Sequence, residues 1–250
     1  MFLPHINPGP QIHHSRPPSL ALFLLAFALP ALAQPTTPPP PIPPTAFIAR
    51  IDAADLARHN SLASYSVQEH YSVFRNSDPA PVAEMTVRTH YTQANGKQYT
   101  SISQSGSPIF RRLLLDKILA SEHDMNLPAS RAGFFLNSSN YQMQVDPTPV
   151  FRNGRLCYLV TLTARRKSQY LFNGRACFDS TDGTLVHLEG TPTQPPSFLA
   201  GTTTILRDYT SIDGFAMATH AEAHSHSIFV GDTVLKIDYS GYQLQPVSTP

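Results

Sequence analysis

The chain has no tryptophan, only 2 cysteines, little charge and no apolar run of membrane-spanning length, and each gap removes a class of function. The cysteines, Cys157 and Cys177, form no Cys-x-x-Cys pair and have no nearby histidine, which argues against a reactive thiol. With 14% charged residues and a net charge of +1, no long-range field exists to hold nucleic acid or an acidic membrane surface. The basic clusters Arg111-Arg112 and Arg165-Arg166-Lys167 read as solvated turn or helix faces. Gly-x-Ser-x-Gly, phosphate-loop, His-Glu-x-x-His and dinucleotide fingerprints are all missing. Asp116, Glu122 and Asp124 read as ordinary solvent-facing charges, so no acid and base pair stands out. The expectation is a protein that is not an enzyme, with no cofactor and no metal.

What the chain does have begins with an apolar run from Leu20 to Leu29, followed by Pro30, Ala31-Leu32-Ala33 and Gln34. Small residues at Ala31 and Ala33 fit a leader-peptidase site, and the run is short for a membrane span. Residues 1–33 therefore read as a cleavable signal peptide that delivers the protein to the periplasm. An uncleaved anchor, keeping the chain in peripheral contact with a membrane, is the other reading. No cysteine follows the cleavage site, so a lipid-modified mature terminus is excluded. Residues 34–45 are dominated by proline, which favours polyproline II and makes a stiff spacer. Residues 46–250 then form a single domain, long enough to bury a sizeable core.

Within that domain the hydrophobic period changes once. Phe47, Ile48, Ile51, Leu56 and Leu62 recur at helical spacing, with Asp52 placed to serve the helix N-terminus. From Tyr65 the pattern alternates, as it does again from Met85 to Tyr91, and Asn95-Gly96 joins that second strand to a third over Gln98 to Gln104. Ser107-Pro108 opens a helix whose apolar stripe is Ile109, Leu113, Leu114, Ile118 and Leu119, leaving Arg112, Asp116 and Glu122 on its outer face. A short helical piece over Ala129 to Leu136 precedes a strand over Tyr141 to Val145. Seven further strands are expected: Arg155–Ala164, Gln169–Asp179, Thr184–Glu189, Thr202–Asp208, Phe215–Ala223, Ser227–Val230 and Thr233–Leu244. The pattern predicts a mainly β, α+β fold: a strongly curved antiparallel half-open β-barrel covered by a few helices.

If the strands carrying Cys157 and Cys177 pair as a hairpin centred near Lys167, the two cysteines face one another within disulfide reach. An exported chain keeps such a bond. His220, Glu222, His224 and His226 share one face of a strand, but same-face neighbours lie about 7 Å apart, so all four cannot hold one ion without a bend. A polar, solvent-facing strand side is the simpler reading, with a pH-responsive surface between the two.

The fragments Asn140-Tyr141-Gln142-Met143, Cys157 to Lys167, Phe178 to Glu189 and Leu235 to Tyr242, taken in this order of elements, resemble the periplasmic lipoprotein-carrier superfamily that includes LolA, LolB and RseB. The resemblance implies an unclosed antiparallel barrel under a helical lid, with an apolar cavity that shelters acyl chains. The chain departs from the carriers in lacking tryptophan and in its disulfide candidate, and no lid or ligand residue of theirs is matched here.

Together these features predict a non-enzymatic periplasmic protein that binds a lipid or lipoprotein acyl chain in an apolar cavity. Phe110, Leu114, Ile118, Phe134 and Phe135 are the candidate cavity residues, although each also suits a closed core. The alternative is an envelope scaffold or sensor module that binds a protein partner by an exposed sheet edge. A third reading, a metal-dependent hydrolase built on His220 to His226, rests on spacing alone.

Overall fold

Alternating apolar and polar residues form strands that pair side by side, and the described residues supply ten of them. A computed structural model describes residues 42–194, 202–227 and 231–247. The expected signal peptide, residues 34–41 of the proline-rich linker and most of the short strand expected over Ser227–Val230 lie outside the described residues.

The strands are β1 (Leu62–Arg75), β2 (Ala83–Thr92), β3 (Gly96–Gly106), β4 (Tyr141–Arg152), β5 (Arg155–Ala164), β6 (Phe172–Asp179), β7 (Leu185–Pro192), β8 (Thr202–Ile212), β9 (Phe215–Ser227) and β10 (Gly231–Pro246). They form one antiparallel sheet in the order β3-β2-β1-β10-β9-β8-β7-β6-β5-β4. The last strand returns to pair with the first, so the early hairpins and the late meander become one sheet. The sheet does not close on itself, and the architecture is a half-open barrel with β3 and β4 as its edges. Register shifts at Thr86/Val87, Val145/Pro149 and Asp208/Tyr209 mark bulges, which bend strands and strengthen their twist. Pro147 and Pro149 sit on edge strand β4, where a missing N–H breaks no ladder.

Helix α1 (Pro44–Ser61) starts on Pro43-Pro44 rather than at Asp52, since a proline at the first helical position gives up only an amide that has no partner there. Asp52 instead lies inside the helix and accepts hydrogen bonds from the Ser138 amide at 2.8 Å and hydroxyl at 2.5 Å. α1 buries Phe47 and Ile51 against Tyr141, Val160, Leu162 and Phe172, on the β4–β6 half of the sheet.

The second helical unit comprises α2 (Pro108–Phe110), a π-helical turn over Arg111–Leu115, and α3 (Asp116–Asn126). The π-turn carries one extra residue and rotates the apolar stripe. Leu114 and Leu115 are buried, whereas Ile109 and Leu113 of the expected stripe are 67% and 58% exposed. The buried pair packs on Tyr71, Met85, Val87, Leu235 and Ile237, a cluster separate from the one that holds Phe47 and Ile51 of α1. The short α4 (Pro128–Arg131) and a 3-10 turn (Ala132–Phe134) lead into a loop that runs to β4. Asn140, buried, holds that loop by donating to the carbonyls of Ala132 and Phe135 at 3.0 and 2.9 Å. Arg166, in an exposed turn, donates to Asn140 Oδ1 at 2.8 Å and to the Gly133 carbonyl.

Cys157 and Cys177 form a disulfide with Cα atoms 5.6 Å apart. They are not opposite one another: Cys157 pairs with Asp179 and Cys177 with Leu159, because the hairpin is centred one residue later than Lys167. By strand alternation they lie on the face away from Val160 and Leu162, in a small cluster with Val186. The bond closes a separation of 20 residues. Replacing both cysteines with serine is expected to lower stability by about 3 kcal/mol in urea unfolding, and a change under 1 kcal/mol would show the bond to be dispensable.

Candidate binding chambers

The helical units pack on different parts of the concave sheet, and two adjoining spaces remain between them. The smaller, of about 330 Å³, is mostly apolar, with Ile118 on α3, Phe134 and Leu136 on the loop, and Phe172, Leu188 and Ile205 on the sheet among its walls. Ala221 and Ala223 of β9 face it with side chains too small to fill it. The larger, of about 700 Å³, is walled by Tyr65, Tyr91, Tyr239 and Tyr242 together with charged residues from α1, α3 and the sheet. Glu122, Phe134, Leu185 and Arg207 are among the residues that line both spaces and so form the wall they share.

The charged residues at that shared wall form a network. Glu122, on α3, receives Lys97 Nζ at 2.5 Å, the Tyr99 hydroxyl at 3.2 Å and Arg207 Nη2 at 3.3 Å. Lys97 Nζ also lies 3.7 Å from Glu69 Oε1, and the Tyr71 hydroxyl donates to Glu69 Oε2. Glu69 is fully buried, and the Lys97 and Glu122 side chains are only 11% and 13% exposed. Burial opposes the ionisation of Glu122, but Lys97 and Arg207 outweigh it and hold its carboxyl at about 2. The same carboxylates overcome the burial of Lys97 and push its ammonium well above its ordinary range. Two anions thus face two cations in low dielectric, a coupling that ties α3 to β3 and β8. Gly96, at φ +66°, starts the strand carrying Lys97, and a Cβ there would meet the Asn126 carbonyl at 2.7 Å, so only glycine lets α3 approach this closely.

At the α1 end of the larger chamber, the Phe135 ring stacks on His59 with centroids 3.6 Å apart. His59 Nδ1 lies 2.7 Å from the Asp55 carbonyl, and Asn137 donates to Asp55 Oδ2 at 3.0 Å. Burial pushes the Asp55 carboxyl up to about 6, and burial, with Arg58 and Arg131 adding to it, pushes His59 down to about 4. The linkage signs are opposite. As pH falls from 6 towards 3.8 the folded chain protonates Asp55 first, which favours folding. As pH falls from 6.5 towards 4 the unfolded chain protonates His59 first, which disfavours folding. The two slopes offset one another in the wild type. His59→Gln removes only the second, so moving from pH 7 to pH 5 is expected to raise the variant's melting temperature relative to the wild type. An unchanged difference between the two proteins at both pH values would contradict this.

Of the five residues expected to face a cavity, Ile118 lines the apolar chamber, Phe134 lines both and Phe135 lines the larger. Phe110 and Leu114 line neither: the π-turn buries Leu114 in the Tyr71 and Met85 cluster, and Phe110, partly buried, packs against the same cluster. Glu122 is not a solvent-facing charge as expected: the polar face of α3 meets buried partners rather than water. Lys97, Arg207, Arg58 and Arg131 carried no local signal. Glu69 did, as a charge inside the inward series Tyr65, Val67, Tyr71 and Val73.

The histidine strand lies on β9. Glu222 accepts from His220 Nε2 at 3.1 Å, His224 Nε2 at 2.8 Å and Lys236 Nζ at 3.1 Å, while His226 Nδ1 reaches Asp232 at 2.6 Å. Each imidazole takes an acidic partner, and they do not converge on one point. Among the described residues no group of three or more potential ligands is placed to hold a metal ion.

No family model and no curated protein matches the chain. Solved structures to which it is similar include a DUF1329 family protein from Desulfovibrio piger, at 13% identity, TM-score 0.43, 81% of this chain and 93% of that one. A LolA superfamily protein from Nitrosomonas europaea is similar at 11% identity, TM-score 0.42, with 83% and 96% covered. An outer membrane lipoprotein-sorting protein domain from Vibrio parahaemolyticus is similar at 11% identity, TM-score 0.46, with 78% and 91% covered.

Proposed function

We propose that this chain is an exported, non-enzymatic binding protein that shelters the acyl chain of a lipid or lipoprotein between its curved sheet and helices. The observation that carries the proposal is an apolar space of about 330 Å³ adjoining a more polar one of about 700 Å³, a partition that suits a molecule with a tail and a head. Burying methylenes gives about 0.8 kcal/mol each, so about ten of them reach the micromolar range before the costs of binding. The leader-like segment at 1–33 and the disulfide support an oxidising, periplasmic setting, with 34–45 as the spacer and 46–250 as the binding domain. A delipidated sample is expected to take up a fluorescent fatty acid saturably at micromolar concentration, one per chain. No uptake at that concentration would remove the main support.

A second reading rests on edge strand β3, whose residues 100–106 are exposed and uncharged and so leave a bare backbone edge for an extended segment of an envelope protein. Saturable capture of an envelope protein by a sample that takes up no lipid would favour it over the carrier.

A further inference from the structure

Most of the chamber's charges are spoken for. Lys97 and Arg207 face Glu69 and Glu122, and Asp182 lies 3.1 Å from Arg155 outside the chamber wall. Arg58 and Arg131 remain. Both are half-buried, both line the larger chamber, and neither has a carboxylate within ion-pair distance among the described residues. Arg58 donates to the Ala216 carbonyl at 3.3 Å and approaches Met217 Sδ at 4.0 Å. Arg131 donates to the Gln93 carbonyl at 2.7 Å and the Tyr91 hydroxyl at 3.3 Å. Neutral acceptors use only part of two guanidinium forks. Asp55 lines the same chamber, but among the described residues its carboxylate is not within ion-pair distance of either arginine and instead accepts from Asn137 at 3.0 Å.

The two arginines belong to one connected wall. Gln93 links them, giving its carbonyl to Arg131 and its amide to the His59 carbonyl at 2.7 Å, one residue from Arg58. Tyr65 stacks on Tyr91 at 5.0 Å and lies 6.1 Å from Tyr242. The Tyr239 hydroxyl, on the same chamber, is buried without a hydrogen-bond partner among the described residues and has a donor to give. Guanidinium forks and phenolic hydroxyls around one cleft suit the hydrogen-bonding needs of an oxyanion.

We infer that the larger chamber is a receptor for an anionic oxygen-rich head group, a phosphate or carboxylate, held by Arg58 and Arg131 while an acyl tail occupies the apolar chamber. This rests on the carrier reading for the tail and goes beyond it for the head.

The test is isothermal titration of the mature protein with three probes: myristoyl lysophosphatidic acid, monomyristoylglycerol of the same chain length, and inorganic phosphate. The phosphate amphiphile is expected to bind about tenfold or more tighter than the neutral one. In Arg58→Gln/Arg131→Gln that preference should fall below about twofold while monomyristoylglycerol binds as before, which also shows that the variant is folded. Equal binding of both amphiphiles, or a preference that survives in the double variant, overturns the head-group inference and leaves the carrier reading standing. Inorganic phosphate binding as tightly as the amphiphile, with loss in the double variant, supports the anion site as one for free phosphate and overturns the tail. Binding of none of the three overturns both.

Discussion

Replacing Glu122 with glutamine is expected to destabilise the fold by about 3–5 kcal/mol, because removing one partner of a buried ion network leaves the others uncompensated. Lys97 would keep only Glu69, at 3.7 Å, and Arg207 would lose its carboxylate. The cost should appear in urea unfolding as a shifted midpoint with an unchanged slope. Lys97→Met should cost a similar amount, since it leaves the buried Glu69 with no cation and Glu122 with Arg207 alone. The double variant should cost less than the sum of the two, because both single changes break the same interaction. A loss under 1 kcal/mol for Glu122→Gln would show that water screens the network despite its burial. The depressed carboxyl also sets a pH window: the stabilisation is fully present above about 4.5 and is lost as pH falls through about 2.

The second large effect is expected at Ala223, on the wall of the apolar chamber. An indole placed there by Ala223→Trp would occupy volume that about three or four methylenes of a tail would otherwise fill. At about 0.8 kcal/mol per methylene, affinity for a fatty acid should fall by about a hundredfold. Stability should hold or rise, because the ring buries apolar surface in open space rather than overpacking a filled core. A variant that binds fatty acid as well as the wild type would place the tail elsewhere.

The strands were legible because alternation is local: Tyr65 to Tyr71 and Met85 to Tyr91 announce their faces without any knowledge of partners. The Asn95-Gly96 turn was legible for the same reason, since its chemistry sits in adjacent residues. The face of the second helix was not, because a π-turn at Arg111–Leu115 shifts by one residue a stripe that helical spacing places on Ile109 and Leu113. Glu122 shows a deeper limit. A polar helix face tells that a residue seeks polar company, not whether that company is water or a buried lysine. Its partners lie 25 and 85 residues away, at Lys97 and Arg207, and only the return of β10 onto β1 and the order of β8 to β10 bring them together. The disulfide lies between these cases: spacing named the pair, while the hairpin register, one residue later than expected, set them diagonally.

The central claim is that the apolar chamber holds a chain. It is tested most directly by native mass spectrometry of the mature protein, purified from the periplasm without detergent and followed by organic extraction. The account predicts a co-purifying mass in the lipid range that is lost in Ala223→Trp. A clean apo mass for the wild type, with no uptake of added fatty acid at micromolar concentration, would contradict it.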